Sequence, residues 1–163
     1  MIEGDEDDDT ELIDYLEAMD LALTVHEAGH TVVARALGAE IVFVEIDLAT
    51  GNGGSRSRTF DDDQIKNLAV CVAGCRAEHL LDARSLRRTK IGDFRLMRAL
   101  LARLPDAERR AARAAGYRLA DEILKANADA VRRVADELLA RRWKANTTVV
   151  RIPGDELIAL LSG

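Results

Sequence analysis

The chain has 163 residues and a mass of 17.9 kDa, about the size of one domain, and 48% of its residues are hydrophobic, which is enough for one core. Ala, Leu and Arg dominate, aromatic residues contribute 4% and there are two prolines, so the composition favours helices. With no apolar run near the ~20 residues of a membrane span, no leader segment and no cysteine framework, we expect no membrane association and a cytoplasmic location.

The net charge of −6 is unevenly distributed along the sequence. Residues 1–11 hold seven acids and no base, which predicts an acidic disordered tail before a single domain at 12–163. Residues 84–118 hold eleven Lys or Arg against three acids, which is typical of an exposed helix face. Only Phe94 and Tyr117 bring aromatic rings to this basic stretch, so the pattern argues against nucleic-acid binding.

The first half of the sequence predicts a helix, a strand and a loop. Apolar residues recur at steps of three and four from Leu12 to Leu37, which indicates a helix that stops at Gly38. Residues 41–48 alternate in polarity, which indicates a half-buried strand whose even-numbered residues face the core. The Gly-rich segment 50–57 is expected to be a turn or flexible loop.

The second half predicts helices and one extended segment, which gives a mainly α fold with a small β-sheet. The expected elements are a helix that follows Asp61–Asp63, a break at Gly92, a helix over 94–104 ended by Pro105, a long helix over 106–142, an extended segment over 147–152 and a short helix over 155–161. Trp143 is expected to pack as an anchor near the end of the long helix.

One motif, His26-Glu27-Ala28-Gly29-His30, carries a specific chemical signal. Residues four apart share one face of a helix, so both imidazoles can bind one zinc ion per chain. Glu27 follows the first ligand and can take a proton from a zinc-bound water, which then attacks a carbonyl. The alternative is a pair of helix-face histidines that happen to flank a glutamate, and the helical context and small neighbours favour zinc.

A catalytic zinc site has three protein ligands and one open position, so a third ligand must come from later in the sequence. Spacing alone offers four candidates: Glu78, His79, Asp82 and Asp93. The residues themselves leave this choice open. Cys71 and Cys75, four apart on a helix, also carry metal-binding groups, but without a second pair they are expected to be buried small side chains.

Four segments resemble the peptidase domain of FtsH-like ATP-dependent zinc metalloproteases. They are VHEAGHTVVARALG (25–38), VAGCRAEHLL (72–81), GDFRLMRALL (92–101) and TTVVRIPGDELIALL (147–161), so the resemblance runs from about residue 24 to residue 161. It implies a zincin-like active-site helix within an FtsH-type fold. It also implies zinc ligands at His26, His30 and Asp93, a general base at Glu27, and outer positions around the ligands at Glu78 and His79.

Two departures from the family change what the resemblance implies. His79 stands where the family has the second of two paired glutamates, so the orienting role of that carboxylate does not carry over. No G-x-x-x-x-G-K-[ST] phosphate loop is present, and Gly51–Gly54 is expected at the edge of the active-site cleft instead. Without a motor of its own, the chain is expected either to cut unfolded or flexible chains unaided or to depend on a separate ATPase partner. The family's peptidase domains form rings, which leaves a homo-oligomer open here.

The sequence therefore predicts a zinc-dependent endopeptidase that hydrolyses peptide bonds of unfolded or flexible proteins. The strand at 41–48 either offers an exposed edge, to which an extended peptide adds as a further strand, or only covers the core, and the sequence does not separate the two. Three alternatives stay open. They are a zinc-containing adaptor without turnover, a helical protein that binds nucleic acid through 84–118, and autoinhibition by the acidic tail folded over that basic stretch.

Overall fold

A computed structural model describes residues 6–83 and 87–162. This part of the chain is mainly helical and carries one three-stranded antiparallel sheet, as the sequence predicts. The elements in chain order are α1 (Glu6–Ala36), β1 (Ile41–Asp47), β2 (Asn52–Ser57), α2 (Gln64–Leu80), α3 (Arg87–Ala102), α4 (Asp106–Ala126), α5 (Ala128–Ala145), β3 (Val149–Pro153) and α6 (Gly154–Leu161). None of the helices in these ranges combines the length and the apolar character that crossing a membrane requires.

The core forms where α1 packs against α2 and α5, with α4 and the sheet closing its other sides. Small residues allow α1 and α2 to approach closely. A Cβ at Gly29 would lie 2.5 Å from the Ala77 Cβ and 2.8 Å from the Ala73 carbonyl oxygen, so glycine is required at this crossing. The start of α2 also follows the sequence, because the Asp63 side chain accepts a hydrogen bond from the Lys66 N–H at 3.0 Å.

The sheet has the order β2-β1-β3, so β1 is its central strand. Val44 pairs with Ser55 on one side and with Ile152 on the other. Of the two possibilities for 41–48, the exposed edge is therefore wrong, because β3 covers the side of β1 that β2 leaves open. A register shift between Ile41 and Phe43 also turns Ile41 into the core and leaves Val42 exposed, so the expected inward position of Val42 is wrong.

The loop expected over 50–57 is wrong for most of its length, because Asn52–Ser57 forms β2. Antiparallel pairing with β1 satisfies the backbone groups of this segment that face β1, without any help from apolar side chains. Gly51 has a φ of +68° and supplies the tight turn that returns the chain from β1. The Gly-rich composition thus belongs to a hairpin whose second strand, β2, can approach α1 closely.

Three helical predictions are corrected in the second half. The expected break at Gly92 lies inside α3, since one glycine costs a helix only about 1 kcal/mol. The long helix over 106–142 is two helices, because Asn127 leaves helical geometry and its side-chain amide donates to the Ile123 carbonyl at 2.8 Å. Trp143 is 65% exposed and lies beneath the Arg142 guanidinium, so it does not anchor the core.

The N-terminal helix begins before the expected domain boundary. α1 starts at Glu6, so residues 6–11 of the expected tail lie in the first turns of this 31-residue helix, and residues 1–5 lie outside the described residues. Acidic residues stabilise the first turn of a helix through its dipole, which explains how this composition is compatible with a helical start.

Candidate metal centre

Two imidazoles of α1 meet above α2. His26 and His30 lie one turn apart, and their Nε2 atoms are 3.1 Å from each other. A Cβ at Gly74 of α2 would stand 2.5 Å from His26 Nε2 and 2.6 Å from His30 Nε2, so a bare backbone is required next to these two nitrogens. The spacing of the motif therefore brings both rings to one point, and α2 holds them there.

Asp93 of α3 completes a triad of converging atoms. Its Oδ2 lies 3.1 Å from His26 Nε2 and 3.3 Å from His30 Nε2. Among the four third-ligand candidates, Asp93 is the residue that α3 brings to both imidazoles. The triad draws on two helices that are distant in sequence, which is why spacing alone left several candidates.

Hydrogen bonds on the far side of each ring fix the direction of the free lone pairs. His26 Nδ1 lies 2.5 Å from Glu78 Oε1, and His30 Nδ1 lies 2.7 Å from the Val70 carbonyl oxygen. A carbonyl oxygen only accepts, so His30 Nδ1 donates, and the Glu78 carboxylate assigns the same role to His26 Nδ1. Each Nε2 is then the atom that can bind a metal, the arrangement typical of metal-ligating histidines.

Glu78 is buried at 1% exposure, and of its two oxygens Oε2 has no hydrogen-bond partner among the described residues. A buried carboxylate with a single hydrogen bond requires nearby positive charge. His26 transmits that charge when its other nitrogen binds a proton or a metal ion. Glu78 therefore supports the triad from behind, in the outer position that the resemblance implies.

The pKa values of the triad reflect the need for a cation between its members. Burial lowers the pKa of His26, but hydrogen bonds to Asp93 and Glu78 outweigh burial and raise it to about 9. His30 follows the same pattern, since its contact with Asp93 raises its pKa against the effect of burial. Burial alone would raise the pKa of Asp93, and the two imidazoles reverse this and lower it. Asp93 and the two imidazoles thus favour each other's charged forms.

The distances fit zinc. Ligand atoms at the ~2.0–2.1 Å bond length of a tetrahedral zinc lie about 3.3 Å from one another. The three pairs His26–His30, His26–Asp93 and His30–Asp93 measure 3.1, 3.1 and 3.3 Å between those atoms. Two neutral imidazoles and one carboxylate are also the donor chemistry of a catalytic zinc site. The residues present therefore fit the ion that the motif predicts.

Glu27 points into the cleft beside the triad. It is 5% exposed, and a Cβ at Gly53 of β2 would stand 2.6 Å from its Oε1. Burial raises the pKa of Glu27, and the neighbouring imidazoles partly offset this effect. A carboxylate with a raised pKa next to a metal site is suited to accept and return a proton. The Gly-rich strand β2, which the sequence predicted as a loop, leaves room for the Glu27 side chain.

Both cysteines of α2 lie next to Asp93. Cys71 Sγ donates to the Asp93 backbone oxygen at 3.1 Å, and Cys75 Sγ is 3.9 Å from Asp93 Oδ2. Cys75, His26 and Asp93 have ligand atoms within 4.8 Å of one another. Burial raises the pKa of both thiols to about 12, so both are neutral thiols at physiological pH. Their proximity to Asp93 is not visible in the sequence, where Asp93 is eighteen or more residues away.

A cleft of about 470 Å³ opens over the triad and Glu27. Its walls come from α1, from residues 51–60 around β2, from α2 and from α3. The expectation that Gly51–Gly54 lies at the edge of the cleft agrees with this lining. Four apolar side chains also contribute to the lining: Phe60, Val70, Leu96 and Leu100.

Two of the sequence candidates lie away from the triad. His79 follows Glu78 on α2 but is exposed, and it lines a surface depression with Arg76 and Asp121. Asp82 is exposed in the turn that follows α2, with a φ of +52°. The His79 ring therefore does not touch the proposed ligands, although the resemblance implies an outer position around them for this residue.

The chain was compared with protein-family models and with curated proteins, and neither comparison finds a match.

Proposed function

We propose that the protein is a zinc-dependent endopeptidase that cleaves unfolded or flexible chains, with an FtsH-type peptidase fold. The observation that supports it best is the convergence of His26 Nε2, His30 Nε2 and Asp93 Oδ2 within 3.3 Å, with both Nδ1 atoms engaged elsewhere. Three protein ligands leave one coordination position open, which is characteristic of catalytic rather than structural zinc.

The chemistry follows from the residues around that position. When bound, zinc would supply a Lewis acid that polarises a peptide carbonyl and acidifies a water. Glu27 accepts the proton from the attacking water and delivers it to the leaving amine nitrogen. Its raised pKa allows it to hold the proton between these two events. Glu78 and the Val70 carbonyl keep the two imidazoles in the orientation that binds the metal.

The substrate class follows from the cleft. β2 is an edge strand of the sheet, and residues 51–60 line the cleft beside Glu27. An extended peptide can add to such an edge through its own backbone, without a particular side-chain sequence. The strand to which a substrate peptide would add is therefore β2, and not β1 as considered from the sequence. The chain must be unfolded locally to lie along an edge strand, so we propose unfolded proteins and flexible segments as substrates.

The proposal includes a cytoplasmic location, supported by two free thiols at Cys71 and Cys75. A separate ATPase partner is needed only for folded substrates, because a flexible chain enters the cleft unaided.

The test is cleavage of a labelled unfolded protein by the zinc-loaded chain without ATP. Glu27→Gln is the control, because the amide keeps the size of the side chain and cannot take the proton. We expect cleavage by the native chain, none by Glu27→Gln, and zinc bound by both. Equal cleavage by both would contradict the role of Glu27. Zinc binding without cleavage by either would favour the adaptor alternative.

A further inference from the structure

An exposed stretch near the start of α1 precedes the part of the helix that packs in the core. All described residues from 11 to 17 are exposed, and we call this stretch the overhang. It carries three large aliphatic side chains that are more than half exposed: Leu12 (57%), Ile13 (56%) and Leu16 (52%). Leu12 and Leu16 continue, at helical spacing, the apolar stripe that reaches the buried Leu23 further along the same helix. The domain covers only the second part of this stripe.

The charge of this region has one sign. The first 34 residues of the sequence contain eleven acids and no Lys or Arg. Glu11, Asp14 and Glu17 are exposed between the aliphatic side chains of the overhang. Two overhangs side by side would therefore repel each other. An anionic membrane surface would also repel the overhang. The complementary surface must be apolar and basic.

α3 presents a surface of that kind. Ile91, Phe94, Arg95 and Arg98 are spaced i, i+3, i+4 and i+7, so they share one face of the helix, and all four are exposed. We call this set the α3 stripe. Neither arginine forms an ion pair with a described residue. The α3 helix holds five basic residues and one acid, and that acid is Asp93 of the triad.

The overhang cannot reach the α3 stripe of its own chain. α3 meets α1 where Asp93 contacts His26, and Leu12 lies fourteen residues before His26, about 21 Å along the helix axis. A continuous helix cannot fold back over that distance. The overhang therefore does not fold onto the α3 part of the basic stretch 84–118 within one chain. Contact between the two surfaces requires two chains.

We infer that the overhang of one chain docks on the α3 stripe of a second copy, with aliphatic side chains on Ile91 and Phe94 and carboxylates on Arg95 and Arg98. The contact joins two different surfaces, so it is head-to-tail and leaves a free overhang and a free stripe at the ends of a dimer. A contact of one short helix is small, and we expect micromolar affinity. The inference is independent of the proposed peptidase activity.

The experiment measures association of the full chain by sedimentation equilibrium across the micromolar range, at low and high salt. One variant removes the aliphatic contacts (Leu12→Ser with Leu16→Ser), and one reverses the stripe (Arg95→Glu with Arg98→Glu). The matched control makes the same charge change on exposed residues of α5 (Arg133→Glu with Lys144→Glu). Circular dichroism and zinc binding verify that each variant is folded.

We expect the native chain to associate, more weakly at high salt, and each of the first two variants to raise the Kd at least about tenfold. The α5 control should associate like the native chain. Mixing the two defective variants should restore a dimer, because one retains an intact stripe and the other an intact overhang. A monomeric native chain overturns the inference, as does association that survives the Arg95/Arg98 reversal. Failure of the mixed variants to pair also overturns it, since a symmetric contact would behave in that way.

Discussion

Gly53 and Glu27 occupy adjoining space in the cleft: a Cβ at position 53 would stand 2.6 Å from Glu27 Oε1 and 2.6 Å from its Cγ. The proposed base therefore has its position only because β2 carries no side chain opposite it. The next residue differs, since no described atom lies within 4 Å of a Cβ at Gly54. The absence of a side chain is therefore required at Gly53, which approaches Glu27 closely, and not at Gly54.

We predict that Gly53→Ala lowers peptidase activity by about a hundredfold, because a shift of about 1 Å in a catalytic group can have that effect. Zinc affinity should stay within a few-fold of the native value, since the triad is not touched. Gly54→Ala is the control and should retain activity. Steady-state cleavage of the unfolded protein and a zinc competition titration check both parts. Equal activities for the two alanine variants would contradict the contact.

A second pair of neighbours tests the support of His26. We predict that Glu78→Ala weakens zinc binding by about 10- to 100-fold, because the imidazole loses the acceptor that fixes its orientation. His79→Ala should bind zinc like the native chain, since this ring is exposed away from the triad. Zinc competition with a chromophoric chelator measures both. A loss with His79→Ala as large as that with Glu78→Ala would argue against the placement of the two side chains.

The sequence was most informative where side-chain type and helical period act together. His26, Glu27 and His30 lie as a four-residue step on a helix requires, and β1 ends at Asp47, one residue short of the expected boundary. Asp93 came from the resemblance, since its meeting with His26 depends on how α3 packs and not on spacing. Long-range packing of this kind leaves no periodic signal.

The predictions failed where the backbone alone decides the structure. β2 has no apolar alternation, because its N–H and C=O groups on the side of β1 pair with that strand regardless of side chains. Asn127 interrupts a pattern that is helical on both sides, through one side-chain hydrogen bond to Ile123. The register shift near Ile41 moves one apolar residue inward and the next outward. A reading of side-chain periodicity does not detect any of these three features.

Gly74 tests how closely α2 approaches the imidazoles, and Gly92 of α3 serves as a comparison with open space around it. We predict that Gly74→Ala weakens zinc binding at least about a hundredfold, because its Cβ would stand 2.5 Å from His26 Nε2 and 2.6 Å from His30 Nε2. Gly92→Ala in α3 has open space around its Cβ, and we expect it to raise the free energy of unfolding by about 0.5–1 kcal/mol. Denaturant unfolding with a chelator present gives the stability of each variant, and zinc titration gives the affinity. Native zinc affinity in Gly74→Ala would contradict the approach of α2.

Zinc should stabilise the folded chain through the triad. At a free zinc concentration of one hundred times Kd, a ligand that binds only the folded state adds about 2.7 kcal/mol to the free energy of unfolding. For a chain of this length we expect the melting temperature to rise by about 5–10 °C, and a chelator should reverse the rise. Asp93→Ala removes a ligand atom from both imidazoles and should abolish most of the rise, whereas Asp82→Ala, in the turn that follows α2, should keep it. Differential scanning calorimetry with and without zinc makes the comparison, and an equal rise in the Asp93→Ala variant would exclude Asp93 as the third ligand.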